Sequence, residues 1–145
     1  GRHMPKWLLN MKKDNIYVIG EVPDSKKFIE EHDVAIVPLL SGSGIRIKII
    51  ESMAMGKTVI TTLVGAEGIQ YSEYENIIIA DTAAKMVEAV NRIMRAPNEA
   101  SRIGQKARLL IEEVYDNKKI IDRLLIFYDE IGKTKKDITY INNKL

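Results

Sequence analysis

Cysteine is absent from the 145 residues, which excludes a disulfide framework and any thiolate-held metal. Histidine is nearly absent as well: His3 and His32 stand too far apart to make a zinc site, and no Asp-x-Asp pair offers a divalent cation two carboxylates. No bound metal is expected. Aromatic residues make up 6%, and 22 scattered basic residues face 20 acidic ones for a net charge of +2. That excludes the stacking platform and the basic stripe with which proteins hold nucleic acid. No apolar run approaches the roughly 18 residues that span a bilayer, and no secretory signal is visible. The expectation is a cytoplasmic protein with no transmembrane segment.

What is present is ordinary for a globular domain: 46% hydrophobic and 29% charged residues, enough to bury a core. Residues 15–19 are short, β-rich and end at Gly20, and so read as a strand. Asp24 or Ser25 caps a helix to about His32, with Phe28 and Ile29 turned inward and His32 capping its C-terminus. Residues 34–37 read as a strand buried on both faces. A helix over 45–55 stops at Gly56. Strands follow at 58–61 and 76–80, with a loop at 65–68 between them. Asp81 or Thr82 caps a helix carrying Met86, Val87, Val90, Ile93 and Met94 on its apolar face. Pro97 ends it, helices run over 98–115 and 117–132, and a polar tail at 133–145 is expected to fray.

Strands and helices that alternate to residue 80, followed by helices alone, spell a doubly wound parallel α/β sheet with C-terminal helices. Four strands are few beside the six of a full Rossmann-like sheet, and Trp7 to Leu9 arrive with no preceding strand to pack on. The chain is therefore expected to be truncated at its N-terminus. Gly1-Arg-His-Met4 fits both a vector remnant and the end of a native strand.

The richest segment is 34–60. An apolar strand ends in Pro38, and Ser41-Gly-Ser-Gly44 leads into a helix bearing Glu51. In such a unit the loop abuts a helix N-terminus, where free N–H groups and the helix dipole favour an anion. Small residues let a phosphate approach the main chain. Two phosphate motifs fail. Gly56-Lys57-Thr58 sits between a helix and a strand and has Glu51 where a P-loop needs its first Gly. Gly42-x-Gly44 lacks the third Gly of a dinucleotide fingerprint, since position 47 is Ile.

Read as a whole, residues 34–70 resemble the donor-binding domain of retaining GT-B glycosyltransferases, the group of sucrose- and glycogen-synthase-like enzymes. Such proteins show an apolar strand ending in Pro, then Glu-Gly-Phe-Gly, a helix with Glu-Ala-Met-Ala-x-Gly, and a Pro-Val-Ile strand. The counterparts here are 34–38, Ser43-Gly-Ile-Arg46, Glu51-Ser-Met-Ala-Met-Gly56 and Thr58-Val-Ile60. Gly65-Ala-Glu-Gly-Ile69 and a Gly-x-Arg-x-Lys pattern at 44–48 match one branch of the group. The likeness extends over about residues 10–130.

The resemblance implies a nucleotide-sugar donor domain over 1–132, half of a GT-B fold, with no tightly bound cofactor and a UDP- or GDP-sugar as donor substrate. It implies donor contacts at Gly20, Val22, Ser41, Gly42, Ser43, Gly44, Ile45, Arg46, Lys48 and Glu51. Glu51 matches the acid that holds the ribose hydroxyls, Gly44 the glycine beside the diphosphate, and Gly20–Val22 the loop near the base. Ser43 stands where the group has a Glu that touches the donor sugar, and also suits an N-cap. Arg46 is the candidate for neutralising the diphosphate; no other catalytic side chain is assigned. The acceptor, a glycan or a lipid-linked sugar, belongs on a separate N-terminal domain, which makes peripheral membrane contact an expectation for a full enzyme. Plainer readings exist: a Glu51–Lys48 pair on a solvated face, Met53 and Met55 as core filler, Glu67 as a helix cap, or the whole chain as a non-catalytic α/β binding module.

Overall fold

The computed structural model describes residues 4–142, with side chains through residue 133; residues 1–3 and 143–145 lie outside it. Three parallel strands stand in the order β1 (Val34–Val37), β2 (Thr58–Thr61), β3 (Ile78–Ile79). Val34 pairs with Thr58, Val37 with Thr61 and Ile60 with Ile78. Helices α1 (Lys6–Leu9) and α2 (Ser25–Glu30) precede the sheet. Helix α3 (Ile47–Ala54) crosses from β1 to β2, and α4 (Ala83–Arg95) and α5 (Pro97–Leu110) follow β3. A π turn (Ile111–Tyr115) then leads into α6 (Asn117–Asn142).

Side chains alternate across a strand, and β2 uses that alternation to serve two cores. Val59 joins Ile49, Met53, Ile77, Ala107 and Ile111 on one face. Ile60 joins Ile78, Ala89, Ile93 and Ile103 on the other. Its threonines are buried with partners, the Thr58 hydroxyl donating to the Ala100 carbonyl (2.6 Å) and that of Thr61 to Val37 (2.7 Å).

Several expectations need correction. Residues 15–19 do not form a strand: Lys13 and Ile16 make an isolated antiparallel bridge across a turn with Asn15 at φ 64°, and residues 17–20 run on without a ladder. A β-rich run becomes a strand only where a neighbour accepts its hydrogen bonds. For the same reason β1 is an edge strand and not buried on both faces, leaving Ile36 49% exposed. Phe28 is exposed too.

The last strand shrinks from 76–80 to two residues, although Ala80 still donates its N–H to Thr61 (2.6 Å). Helix α4 is capped by the Thr82 hydroxyl on the Lys85 N–H (3.2 Å). It buries Ala89 and Ile93, while Val87 and Met94 point outward. The inward stripe is narrower than the full set of apolar residues. Of the polar tail, residues 133–142 lie on the helix α6, and 143–145 fall outside the described residues.

Candidate functional site

The loops that leave β1 and β2 sit side by side at the C-terminal end of the sheet, joined by the Thr62 hydroxyl donating to the Leu39 carbonyl. That end is where open α/β sheets place their ligands. Gly42 (φ 125°) and Gly44 (φ 81°) turn the first loop through conformations that favour glycine. The turn delays α3, which starts at Ile47 and not at 45, with Arg46 as an extended N-cap residue (φ −89°, ψ 100°). No side chain caps α3. Ser43 therefore does not cap it; it contributes its backbone carbonyl, which accepts from Arg46 Nη1 at 2.8 Å.

Arg46 is the unusual group. Its guanidinium folds under the loop so that a Cβ at Gly42 would collide with Nη2. Nε and Nη2 are buried without a hydrogen-bond partner. Buried donors are normally satisfied, and leaving one unmade costs about 1–3 kcal/mol, more for a charged group. The two donors lie beside the uncapped N-terminus of α3, a position where free N–H groups and the helix dipole favour negative charge.

A cavity of about 950 Å³ opens between residues 17–22, α2, β1 and α3. Gly20, Val22, Lys48 and Glu51 line it, with Phe28, His32 and the β1 residues. The expected residues thus fall into two groups. Gly20, Val22, Lys48 and Glu51 share the cavity, whereas Ser41, Gly42, Ser43, Gly44, Ile45 and Arg46 form the loop that feeds α3 and do not line it. Glu51 makes no ion pair or hydrogen bond through its carboxylate among the described residues, so the pair with Lys48 is not formed. His32 caps the end of α2, its Nδ1 against the Phe28 carbonyl at 2.6 Å and its ring 4.5 Å from that of Phe28. Met53 is core and Met55 half-buried, while Glu67 is exposed in the turn after β2.

One residue here escaped the sequence pattern. Tyr115, in the π turn, donates its hydroxyl to Gly68 O (3.2 Å) and accepts from Gln70 N (2.8 Å), reaching the loop after β2. Its only sequence signal is an aromatic closing a helix just before Asp116, which caps α6 through Lys118 N (2.9 Å).

A family model described as glycosyl transferases group 1 matches residues 1–96. An uncharacterised 44.6 kDa protein in the cps region of Klebsiella pneumoniae is 25% identical over 91 residues, which is 63% of this chain and 24% of that protein. Anabaena HepE in complex with UDP superposes with a TM-score of 0.65 at 16% identity, covering 73% of this chain and 31% of that one. Sucrose-phosphate synthase from Thermosynechococcus elongatus gives 0.63 at 21% identity, covering 74% and 27%. The chain thus spans only 24% of the curated relative and 27–31% of these structures. The structural likenesses establish a parallel α/β sheet with flanking helices, of the GT-B type. With the family model covering well over half of the residues, the chain belongs to the glycosyl transferases of group 1.

Proposed function

We propose that this chain is the donor-binding half of a retaining glycosyltransferase, which takes a UDP- or GDP-sugar and passes its hexosyl group to a glycan or lipid-linked acceptor. One observation carries the reading: α3 begins uncapped beside two Arg46 nitrogens and bears the Glu51 carboxylate one turn further on, all three without a partner among the described residues. In this reading the Glu51 carboxylate accepts both ribose hydroxyls, a sound match for a vicinal diol. Gly44 lets the diphosphate reach the main chain, Arg46 and the α3 N-terminus face its charge, and Gly20–Val22 flank the base. Lys48 adds a second cation in the first turn. The UDP found with the structurally similar HepE is in keeping with a nucleotide ligand.

Such a site lowers a barrier by stabilising charge. Glycosyl transfer passes through an oxocarbenium-like state while negative charge grows on the departing diphosphate. Donors already fixed at that point stabilise it without reorganising. The acceptor and any group facing it belong to a partner domain, so the chain alone binds nucleotide weakly and transfers no sugar.

The test is titration of UDP and GDP into isotopically labelled chain, read by amide NMR. Shifts confined to Gly20–Val22, Ser41–Arg46 and Glu51 are expected, and the stronger ligand names the base. Glu51→Gln should weaken binding by about ten-fold or more, from the loss of hydrogen bonds to a charged group worth roughly 1.5–3 kcal/mol. A dispersed spectrum unmoved by either nucleotide overturns the reading. Ser43 favours a second one: its hydroxyl is neutral where the family's acid would meet the sugar, as in a branch that binds nucleotide without transfer. Nucleotide shifts with no transfer after the acceptor domain is supplied would establish that branch.

A further inference from the structure

We infer that Tyr115 is a positioning residue for the donor site, acting through the loop after β2. The inference rests on the donor-site reading above and adds to it a residue far away in sequence. The Tyr115 ring packs against the core cluster of Ile49, Met53 and Ile111. Its hydroxyl bridges two backbone groups of one loop, donating to Gly68 O and accepting from Gln70 N. Gly68 holds a positive φ of 75°, and a Cβ built there would press on Ile45 at 3.0 Å. Ile45 is the residue just before the Arg46 N-cap.

A continuous chain of contacts therefore runs from the π turn through Tyr115 and Gly68 to Ile45 and the 41–46 loop. The 65–70 loop is pinned from below by buried Ala66 and Ile69. The Thr62 hydroxyl holds the start of the loop, accepting from Gly65 N (3.0 Å), and Tyr115 anchors its far end at Gly68 and Gln70. π turns inside α-helices recur at functional sites, and this one ends on the anchoring residue. Tyr115 touches no ligand in this scheme. It fixes the angle at which the second loop meets the first, and so the position of the Arg46 guanidinium.

Tyr115→Phe removes the hydroxyl and keeps the ring. In the 145-residue chain, this variant should leave the thermal midpoint close to the parent's. Amide exchange at Gln70 should speed up, and UDP should bind about five-fold more weakly, the scale of one hydrogen bond. Ile45→Ala, at an exposed position, cuts the same chain of contacts without touching the core; adding Tyr115→Phe to it should cause little further loss.

Unchanged UDP affinity with faster Gln70 exchange overturns the inference, because the hydroxyl then merely holds its own loop. Fully additive losses in the double variant overturn it also. If neither UDP nor GDP binds the parent chain, the donor-site reading fails while the coupling is still tested. Tyr115→Phe must then shift the amides of Gly44 to Arg46 without ligand, and shifts restricted to 68–70 refute it.

Discussion

At position 104 a hydrogen atom is the largest side chain that fits. Gly104 brings α5 against the backbone at Gly56, and a Cβ there would collide with the Gly56 carbonyl oxygen. Gly104→Ala improves helix propensity by up to about 1 kcal/mol. Forcing the backbones apart costs typically 1–3 kcal/mol, so the net effect should be destabilising. Gly132, in α6, has nothing within 4 Å of its would-be Cβ. The described side chains of α6 are all exposed, so Gly132→Ala should favour the helix locally by a few tenths to about 1 kcal/mol, read as slower amide exchange around residue 132. Urea unfolding reads the sign at position 104, and a stabilised Gly104→Ala would refute the close-contact account.

Caps that look equivalent in sequence should differ in effect at the scale of elements. Asp24 accepts from Lys26 N (2.9 Å) and Lys27 N (3.1 Å), but α2 has no buried residue. Thr82 caps α4, which buries Ala89 and Ile93. Thr82→Ala should cost about 1 kcal/mol of global stability. Asp24→Ala should mainly quicken amide exchange within α2, because a helix without buried side chains opens locally. Equal shifts in the urea midpoint would contradict this difference.

Legibility followed the same logic. Strand β2 is recoverable with its bounds, because a short apolar run between turn signals is what a doubly covered strand requires. Residues 15–19 look as strand-like, yet nothing in their own pattern reveals the missing ladder partner. In the candidate site, the glycine-rich loop was readable from residue type, and Glu51 and Lys48, put forward by the family resemblance, line one cavity. The exit of Arg46 from the helix, its burial under Gly42 and the reach of Tyr115 to Gly68 were not readable. They depend on backbone angles and on contacts between distant segments, which periodicity does not encode.

For the molecule as a whole, acid stability should carry the mark of one cluster. Glu99 on α5 accepts from Arg92 Nε (3.1 Å) and Nη2 (2.6 Å), and Arg102 stands 3.9 Å away. Arg92 lies over the Tyr74 ring at 4.3 Å, and Arg102 donates to the Tyr74 carbonyl (3.0 Å). Helices α4 and α5 and the turn before β3 are thereby tied together. The hydrogen bond from Arg92 holds the Glu99 carboxyl below its usual range, aided by the charges of Arg92 and Arg102. A carboxyl lowered in the folded state contributes stability above its unfolded pKa and loses it as pH falls through the folded value. The urea midpoint of the parent should thus exceed that of Glu99→Gln at neutral pH, and the gap should close below the usual glutamate range. A gap independent of pH would refute this assignment.

The parallel sheet also governs how the chain finds its structure. Val34 meets Thr58 only across α3, and Ile60 meets Ile78 only across the loop that Tyr115 anchors. No hairpin joins neighbouring strands, so no strand pair can nucleate on its own, and each waits for a long stretch of chain to close. Refolding should accordingly be slow for so small a sheet. Its rate will be set by the crossovers that also carry the candidate site, so that the segments shaped for a ligand are the same ones that decide how fast the protein comes into being.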